Sequence, residues 1–136
     1  MNHYFNQITY TNFPLMREGD YRVRINKAAI TFDSNNDGKL KVELDVSGTT
    51  RKLTYYICLN DGNEKFASNK FQAFYNSFGI RAGEQDNLNS WDGKMGAVRI
   101  KHSQYQGKTL ARIAFCLDKG YQKSLPKWHE VGYIKI

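Results

Sequence analysis

Residues 94–117 place basic and aromatic side chains on one face of a predicted β-hairpin. Apolar and polar residues alternate on both sides of a turn at Gln106-Gly107, which is the period of strands with one buried face. The polar face carries five residues of the types that bind phosphates or stack on bases: Arg99, Lys101, Tyr105, Lys108 and Arg112. Cations neutralise phosphates and aromatic rings stack on bases, so the pattern indicates binding of a single-stranded nucleic acid.

The turn also predicts the register of this hairpin. We expect four pairs across its strands: Tyr105–Lys108, Lys101–Arg112, Ile100–Ile113 and Val98–Phe115. Lys101 and Arg112 are like charges, and like charges directly opposite one another destabilise a sheet. A hairpin that keeps this pair is therefore expected to bind an anion.

The charge balance of the 136-residue chain also favours an anionic partner. The sequence has 20 lysine and arginine residues against 13 aspartate and glutamate residues, a formal net charge of +7. Such an excess attracts polyanions, either a nucleic acid or an anionic membrane surface. No run approaches the ~18 apolar residues of a membrane span, so no membrane insertion is expected.

The cysteines and the first residues predict the compartment. Cys58 and Cys116 lie far apart, in predicted strands and outside any paired motif, which is typical of a reduced protein. The first residues lack the basic and apolar regions of a signal peptide. We therefore expect a cytoplasmic protein.

Apolar alternation predicts three strands before the hairpin, at residues 20–32, 39–46 and 51–59. In the first strand the apolar parity changes between Asn26 and Ala29, which predicts a bulge. A helix is predicted over residues 64–78, with Asn63 as its N-cap and Gly79 just beyond its end.

The helix carries aromatic residues at the spacing of a single helical face: Phe71, Phe74, Tyr75 and Phe78. We interpret this stripe as core packing rather than a ligand pocket, because the strands need a cover for their apolar face. The chain then divides into a lead (residues 1–18), one β-domain (19–118) and a C-terminal extension (119–136), whose last residues predict a further short strand.

The order of three strands, a helix and two strands is that of the OB-fold, a five-stranded Greek-key barrel with its helix between strands 3 and 4. The predicted fold class is therefore mainly β. OB-folds bind single strands across strands 2 and 3, between the loops that join strands 1–2 and 4–5. The candidate binding residues outside the hairpin are Arg22, Arg24, Lys39, Lys41, Lys52 and Tyr56. If Val46 pairs with Arg51, Lys41 lies opposite Tyr56.

Several segments also resemble a family of small single-stranded DNA-binding proteins encoded by tailed phages of Gram-positive bacteria. The similarity spans residues 19–117 and includes GDYRVRINKA, FQAFYNSFGI and WDGKMGAVRIKHSQYQGKTLARIAFCL. Its strongest part is a hairpin motif matched by Gly93, Lys94, Gly96, Val98, Ile100, His102, Tyr105, Gly107, Lys108, Ile113 and Phe115.

The resemblance implies an OB-fold that binds single-stranded DNA during phage DNA replication or recombination, in the host cytoplasm. It also implies contacts with phage or host replication and recombination proteins. Bacterial single-strand binders usually recruit such partners through an acidic tail, whereas this sequence ends Tyr-Ile-Lys-Ile, so we do not expect recruitment by that route.

Other chemistry fits the sequence less well. Residues 33–40 match the first half of a calcium-binding loop, but position 12 is Leu44 instead of glutamate, so we interpret the segment as a turn between strands. His102 has the inward-facing position in the alternation of its strand, so we interpret it as a structural residue and not as a catalytic base. Metal-ligand spacing, a phosphate-binding loop and a nucleophile–base pair are all missing, so we expect no enzyme, no cofactor and no bound metal.

Three alternatives stay open at this point. The domain is a protein-interaction module if the aromatic extension around Trp128 and Tyr133 docks a replication protein. RNA is as suitable as DNA, because base stacking accepts either sugar. A homodimer forms if the predicted last strand pairs across a two-fold axis.

Overall fold

The computed structural model describes residues 15–59 and 64–131, with residues 64–68 described by their backbone alone. The described strands are β1 (Gly19–Phe32), β2 (Gly38–Val46), β3 (Lys52–Cys58), β4 (Met95–Tyr105) and β5 (Lys108–Cys116). Helix α1 (Glu64–Phe78) lies between β3 and β4, and three short 3₁₀ helices span Ala82–Glu84, Leu88–Trp91 and Lys119–Gln122. The predicted order of strands and helix is confirmed.

The strands form one antiparallel sheet in the order β3-β2-β1-β4-β5. β1 is the central strand: its residues 19–24 pair with β4, and its residues 23–32 pair with β2. No backbone ladder joins the two edges, β3 and β5, in the part of the chain that the structure describes. The protein is therefore mainly β, with a curved sheet that is not closed by hydrogen bonds.

The bulge predicted in β1 is confirmed. The pairing of β1 with β2 shifts register between Ile25 and Lys27. Val23 and Ile25 are buried before the shift and Ala28 is buried after it, so the parity changes as expected, whereas Ile30 and Phe32, on which the expectation was based, are exposed. An extra residue at this point bends the strand and increases its twist, which allows one strand to serve both halves of the sheet.

Helix α1 covers the apolar face of the sheet with the predicted aromatic stripe. Phe74 is fully buried, and its ring centroid lies 4.8 Å from that of Phe78 and 5.5 Å from that of Trp91. The Phe78 ring also lies directly against Gly96 of β4, where an added Cβ would come within 2.8 Å of the ring. The stripe is therefore core packing, as predicted.

The register of the β4–β5 hairpin is confirmed at three of its four predicted pairs and wrong at the fourth. Tyr105 pairs with Lys108, Lys101 with Arg112 and Ile100 with Ile113. Val98 pairs with Cys116 and not with Phe115, because a register shift leaves one additional residue, Ala114, in β5. Phe115 therefore lies opposite Arg99, on the outer face of the hairpin.

The end of α1 is as predicted, with Gly79 in the left-handed region at φ 68° and the Ile80 amide donating to the Tyr75 carbonyl. The predicted N-cap at Asn63, most of the lead and the predicted last strand lie outside the described residues. No helix in the described ranges is long and apolar enough to cross a membrane.

Candidate nucleic-acid interface

The outer surface of β2 and β3 is the first candidate surface, and we call it the β2–β3 face. Its side chains alternate with the buried ones and include Lys39, Lys41, Lys52, Thr54, Tyr56 and Cys58. Lys41 lies directly opposite Tyr56, as predicted. The Tyr56 side chain is 47% exposed, and the Lys39 ammonium lies 6.0 Å from the centre of its ring. An open ring flanked by two cations is suited to stack a base while its phosphates are neutralised.

One carboxylate, Asp45, sets the charge at the end of this face. Lys52 Nζ lies 2.6 Å from Asp45 Oδ1, and Arg24 lies 3.5 Å from Asp45 Oδ2. Burial opposes the charged form of Asp45, but hydrogen bonds from Lys52, Asn26 and Arg24 outweigh it and lower its pKa. Asp45 is therefore charged at neutral pH, and it holds both cations in place.

The outer surface of β4 and β5 is the second candidate surface, and we call it the hairpin face. Lys101 and Arg112 are both exposed and lie directly opposite one another. Tyr105 is 61% exposed beside Lys108. Gln106 and Gly107 have positive φ angles of 51° and 79°, as a tight two-residue hairpin turn requires. The turn therefore presents one ring and three cations on a single surface.

Phe115 is a site residue that strand alternation missed. The register shift in β5 places its ring on the hairpin face, 42% exposed and 5.1 Å below the Arg99 guanidinium. No sequence signal marked this change, because Ala114, Phe115 and Cys116 are all apolar and fit either register. Phe115 adds a second exposed ring to the hairpin face.

Like Lys52, the three predicted arginines on β1 and β4 have strong partners within the chain. Arg99 forms a bidentate ion pair with Asp20, at 2.7 and 3.1 Å, and its hydrogen bonds lower the pKa of that carboxyl group. Arg22 and Arg24 bond to residues 122–130 of the extension. We therefore place these three arginines at the borders of the candidate interface and not at its centre.

A groove of about 370 Å³ connects the two faces where the edges of β3 and β5 approach each other. We call it the seam groove, and its basic and aromatic lining is Lys52, Tyr56, Lys70 and Arg112. Tyr55 of β3 also lines the groove, and the burial of its side chain and of Cys116 at the end of β5 raises the pKa of both groups. Lys70 belongs to α1, and its helical position had not suggested a binding role. The seam groove thus joins two faces that are mostly basic, with Glu43 and Asp45 as the acidic residues on the β2 side.

The loop between β1 and β2 is organised by Asp33. Its Oδ1 accepts hydrogen bonds from the backbone amides of Asn35 and Asp37, and these bonds, led by the one from Asp37, lower its pKa. Asn36 has a positive φ of 65°, as expected for asparagine in a turn. Among the described residues, no three His, Cys, Asp or Glu side chains are grouped to hold a metal ion.

The structural interpretation of His102 is supported by its contacts. His102 Nε2 lies 2.7 Å from the Met16 carbonyl oxygen, and the His102 amide donates to the Glu18 carboxylate. This last bond is the main reason that the pKa of Glu18 is lowered. The contacts bind the end of the lead to β4.

The two cysteines differ in exposure, and their reactivity toward a thiol reagent tests this difference. Cys58 is exposed on the β2–β3 face, whereas Cys116 is buried and its pKa is raised to about 12, chiefly by burial. At pH 8 we expect a thiol reagent to modify one cysteine in the folded protein and two after denaturation, since the thiolate is the reactive form. A Cys58→Ser variant with a reactive thiol in the folded state would contradict this assignment.

Comparisons with known proteins do not assign the chain to a family. No protein-family model matches the sequence, and a search of curated proteins returned no match. The function of the two faces is therefore inferred from their own chemistry.

Proposed function

We propose that this protein binds single-stranded DNA, without strong sequence preference, on the surface formed by the β2–β3 face, the seam groove and the hairpin face. The observation that carries the proposal is the placement of exposed rings next to cations on both faces, Tyr56 with Lys41 and Tyr105 with Lys108. Charge neutralises the phosphates, and rings stack on bases of any identity. The proposal is for a binding protein and not for an enzyme.

The strand order supports an OB-fold as the architecture behind this function. In an OB-fold β1 pairs with both β2 and β4, the helix connects β3 to β4, and β3 and β5 lie side by side as the barrel closes. The sheet order β3-β2-β1-β4-β5 has the same neighbours, and its two edges approach at the seam groove. We propose a barrel whose closure depends on side chains such as Tyr55 and Cys116.

The geometry favours a single strand over a duplex. The exposed rings of Tyr56 and Tyr105 can stack only on bases that are accessible, and the bases of a duplex are already stacked and paired. The resemblance to phage single-stranded DNA-binding proteins adds a biological context that we also propose, namely phage DNA replication or recombination in the host cytoplasm. The ring of Trp128, the residue that suggested protein docking, lies 4.4 Å from the Arg24 guanidinium carbon within the chain.

The direct test is titration of the protein with a ~30-nucleotide oligo(dT), compared with a duplex and an RNA of equal length at two salt concentrations. We expect tight, salt-sensitive binding to the single strand and much weaker binding to the duplex, because counterion release accompanies phosphate binding. The same single strand should slow modification of Cys58 by a thiol reagent. Equal binding of single strand and duplex would contradict the stacking role of the rings, and no binding to either would refute the proposal.

Tyr105 provides the most specific single-residue test. Tyr105→Ala should weaken oligo(dT) binding by about 5- to 150-fold, which corresponds to the ~1–3 kcal/mol of one base–aromatic stack. Tyr121 is the matched control, because it is 71% exposed but lies on the last 3₁₀ helix, outside both faces. An equal effect of Tyr105→Ala and Tyr121→Ala in the titration would remove Tyr105 from the interface.

A further inference from the structure

The extension folds back on the sheet as an irregular segment, residues 123–131, which begins with a turn and which we call the C-terminal strap. It follows the 3₁₀ helix Lys119–Gln122, whose Gln122 side chain is buried and donates to the carbonyl oxygens of Ser77 and Leu117. Further along, the His129 amide donates to Ser47 Oγ and its carbonyl accepts from the Gly48 amide. The strap therefore lies across the outer side of β1 and reaches the β2–β3 turn.

The strap bonds to two arginines, and the groups that hold Arg24 resemble those of a nucleic acid. Arg24 donates to both carboxylate oxygens of Glu130, at 2.9 and 3.3 Å, and its guanidinium lies 4.4 Å from the centre of a Trp128 ring. Arg22 Nε donates to the Pro126 carbonyl at 2.8 Å. A guanidinium hydrogen-bonds to a carboxylate as it does to a phosphate, and it packs on an indole ring as it does on a base.

These arginines border the proposed interface directly. Arg24, Asp45 and Lys52 are cross-strand neighbours in one row over β1, β2 and β3. Lys52 lines the seam groove, and Asp45 contacts both cations. A strand of DNA that follows the β2–β3 face toward β1 therefore meets the strap at Glu130.

The strap is packed loosely enough to be displaced. A cavity of about 280 Å³ lies between it and the sheet, lined by Tyr21 and Arg22 on one side and by Leu125 and His129 on the other. Most side chains of the strap are exposed, and it pairs with no strand of the sheet in the described residues. Gln122 is buried and bonded to Ser77 and Leu117, so the 3₁₀ helix has contacts that do not depend on residues 123–131.

We propose that the C-terminal strap is an internal competitor of single-stranded DNA: the DNA displaces Glu130 and Trp128 from Arg24 and extends its path onto β1. This inference rests on the proposed function, and it describes how the affinity of the same site for DNA is regulated. The strap limits affinity for short strands, because its release offsets part of the free energy gained from binding. Arg22 keeps its bond to the Gln122 carbonyl, so the release of Arg24 adds one phosphate contact and the salt slope should rise by about 0.7 for a single strand.

The first experiment weakens the strap without removing it. Glu130→Gln removes the carboxylate that binds the Arg24 guanidinium, and Trp128→Leu removes the ring that packs on it. We expect each variant to bind oligo(dT) about 3- to 10-fold more tightly than the unmodified protein does. Asp92→Asn is the control for the charge change, since Asp92 is exposed and lies after the 3₁₀ helix Leu88–Trp91. If Glu130→Gln gains no more than Asp92→Asn and Trp128→Leu gains nothing, the competitor role is refuted.

The second experiment follows the strap in the unmodified chain. Lys123 and Lys127 lie on the strap and are exposed, so trypsin should cut there several-fold faster once a ~30-nucleotide oligo(dT) has displaced it. Unchanged or slower cleavage with bound oligo(dT) would show that the strap stays in place and would overturn this inference alone. Failure of the protein to bind oligo(dT) at all would overturn the proposed function together with it.

Discussion

Arg112→Glu should weaken oligo(dT) binding at least tenfold and, in the same protein, raise the free energy of unfolding. Arg112 lies in the seam groove and directly opposite Lys101. The substitution removes a phosphate contact and adds a repelling charge, so binding falls. It also converts a repulsive cross-strand pair into an attractive one, which contributes roughly 0.2–1 kcal/mol to a sheet.

Two measurements test whether Arg112→Glu becomes more stable while its affinity for oligo(dT) falls. Denaturant unfolding gives the stability change, and titration with oligo(dT) gives the affinity. Arg112→Gln separates the two causes, because it removes the cation without adding an anion and should have an intermediate effect on both quantities. A loss of stability in Arg112→Glu with unchanged affinity would mean that the like-charge pair has no role in binding.

Phe74→Ala should lower the free energy of unfolding by about 3–5 kcal/mol, as expected when a fully buried phenylalanine is replaced by alanine. The Phe74 ring lies between the rings of Tyr55, Tyr75, Phe78 and Trp91, all within 6.4 Å between centroids. The resulting cavity removes these contacts from the centre of the core. Denaturant unfolding of the variant measures the loss.

The DNA affinity of this variant distinguishes core packing from a ligand pocket. Phe74 is fully buried in the core under α1, whereas the exposed rings and cations of the proposed interface lie on the outer faces and in the seam groove. Under conditions where Phe74→Ala is folded, oligo(dT) should bind with nearly unchanged affinity, and Phe74→Leu should recover most of the stability. A large loss of affinity in a folded Phe74→Ala protein would contradict the division between the two faces.

Much of the fold was predictable because its signals are local. The alternation of β2, the parity change in β1 and the aromatic stripe of α1 each depend on neighbouring residues, and each has the expected structure. The Lys101–Arg112 pair was also predictable, since a two-residue turn determines every pair of a hairpin up to the first irregularity. Beyond Ile113 that rule fails, because apolar residues on both sides of Ala114 allow either register.

The sequence by itself determined which residues are basic, which strands exist and which faces alternate inward and outward, because these depend on side-chain type and a period of two. Only the tertiary structure decided which cations are already paired. Arg99 meets Asp20 across 79 positions and Arg24 meets Glu130 across 106 positions, and no local pattern carries such contacts. The approach of β3 and β5 at the seam groove has the same origin, since the curvature of the whole sheet brings its two edges together.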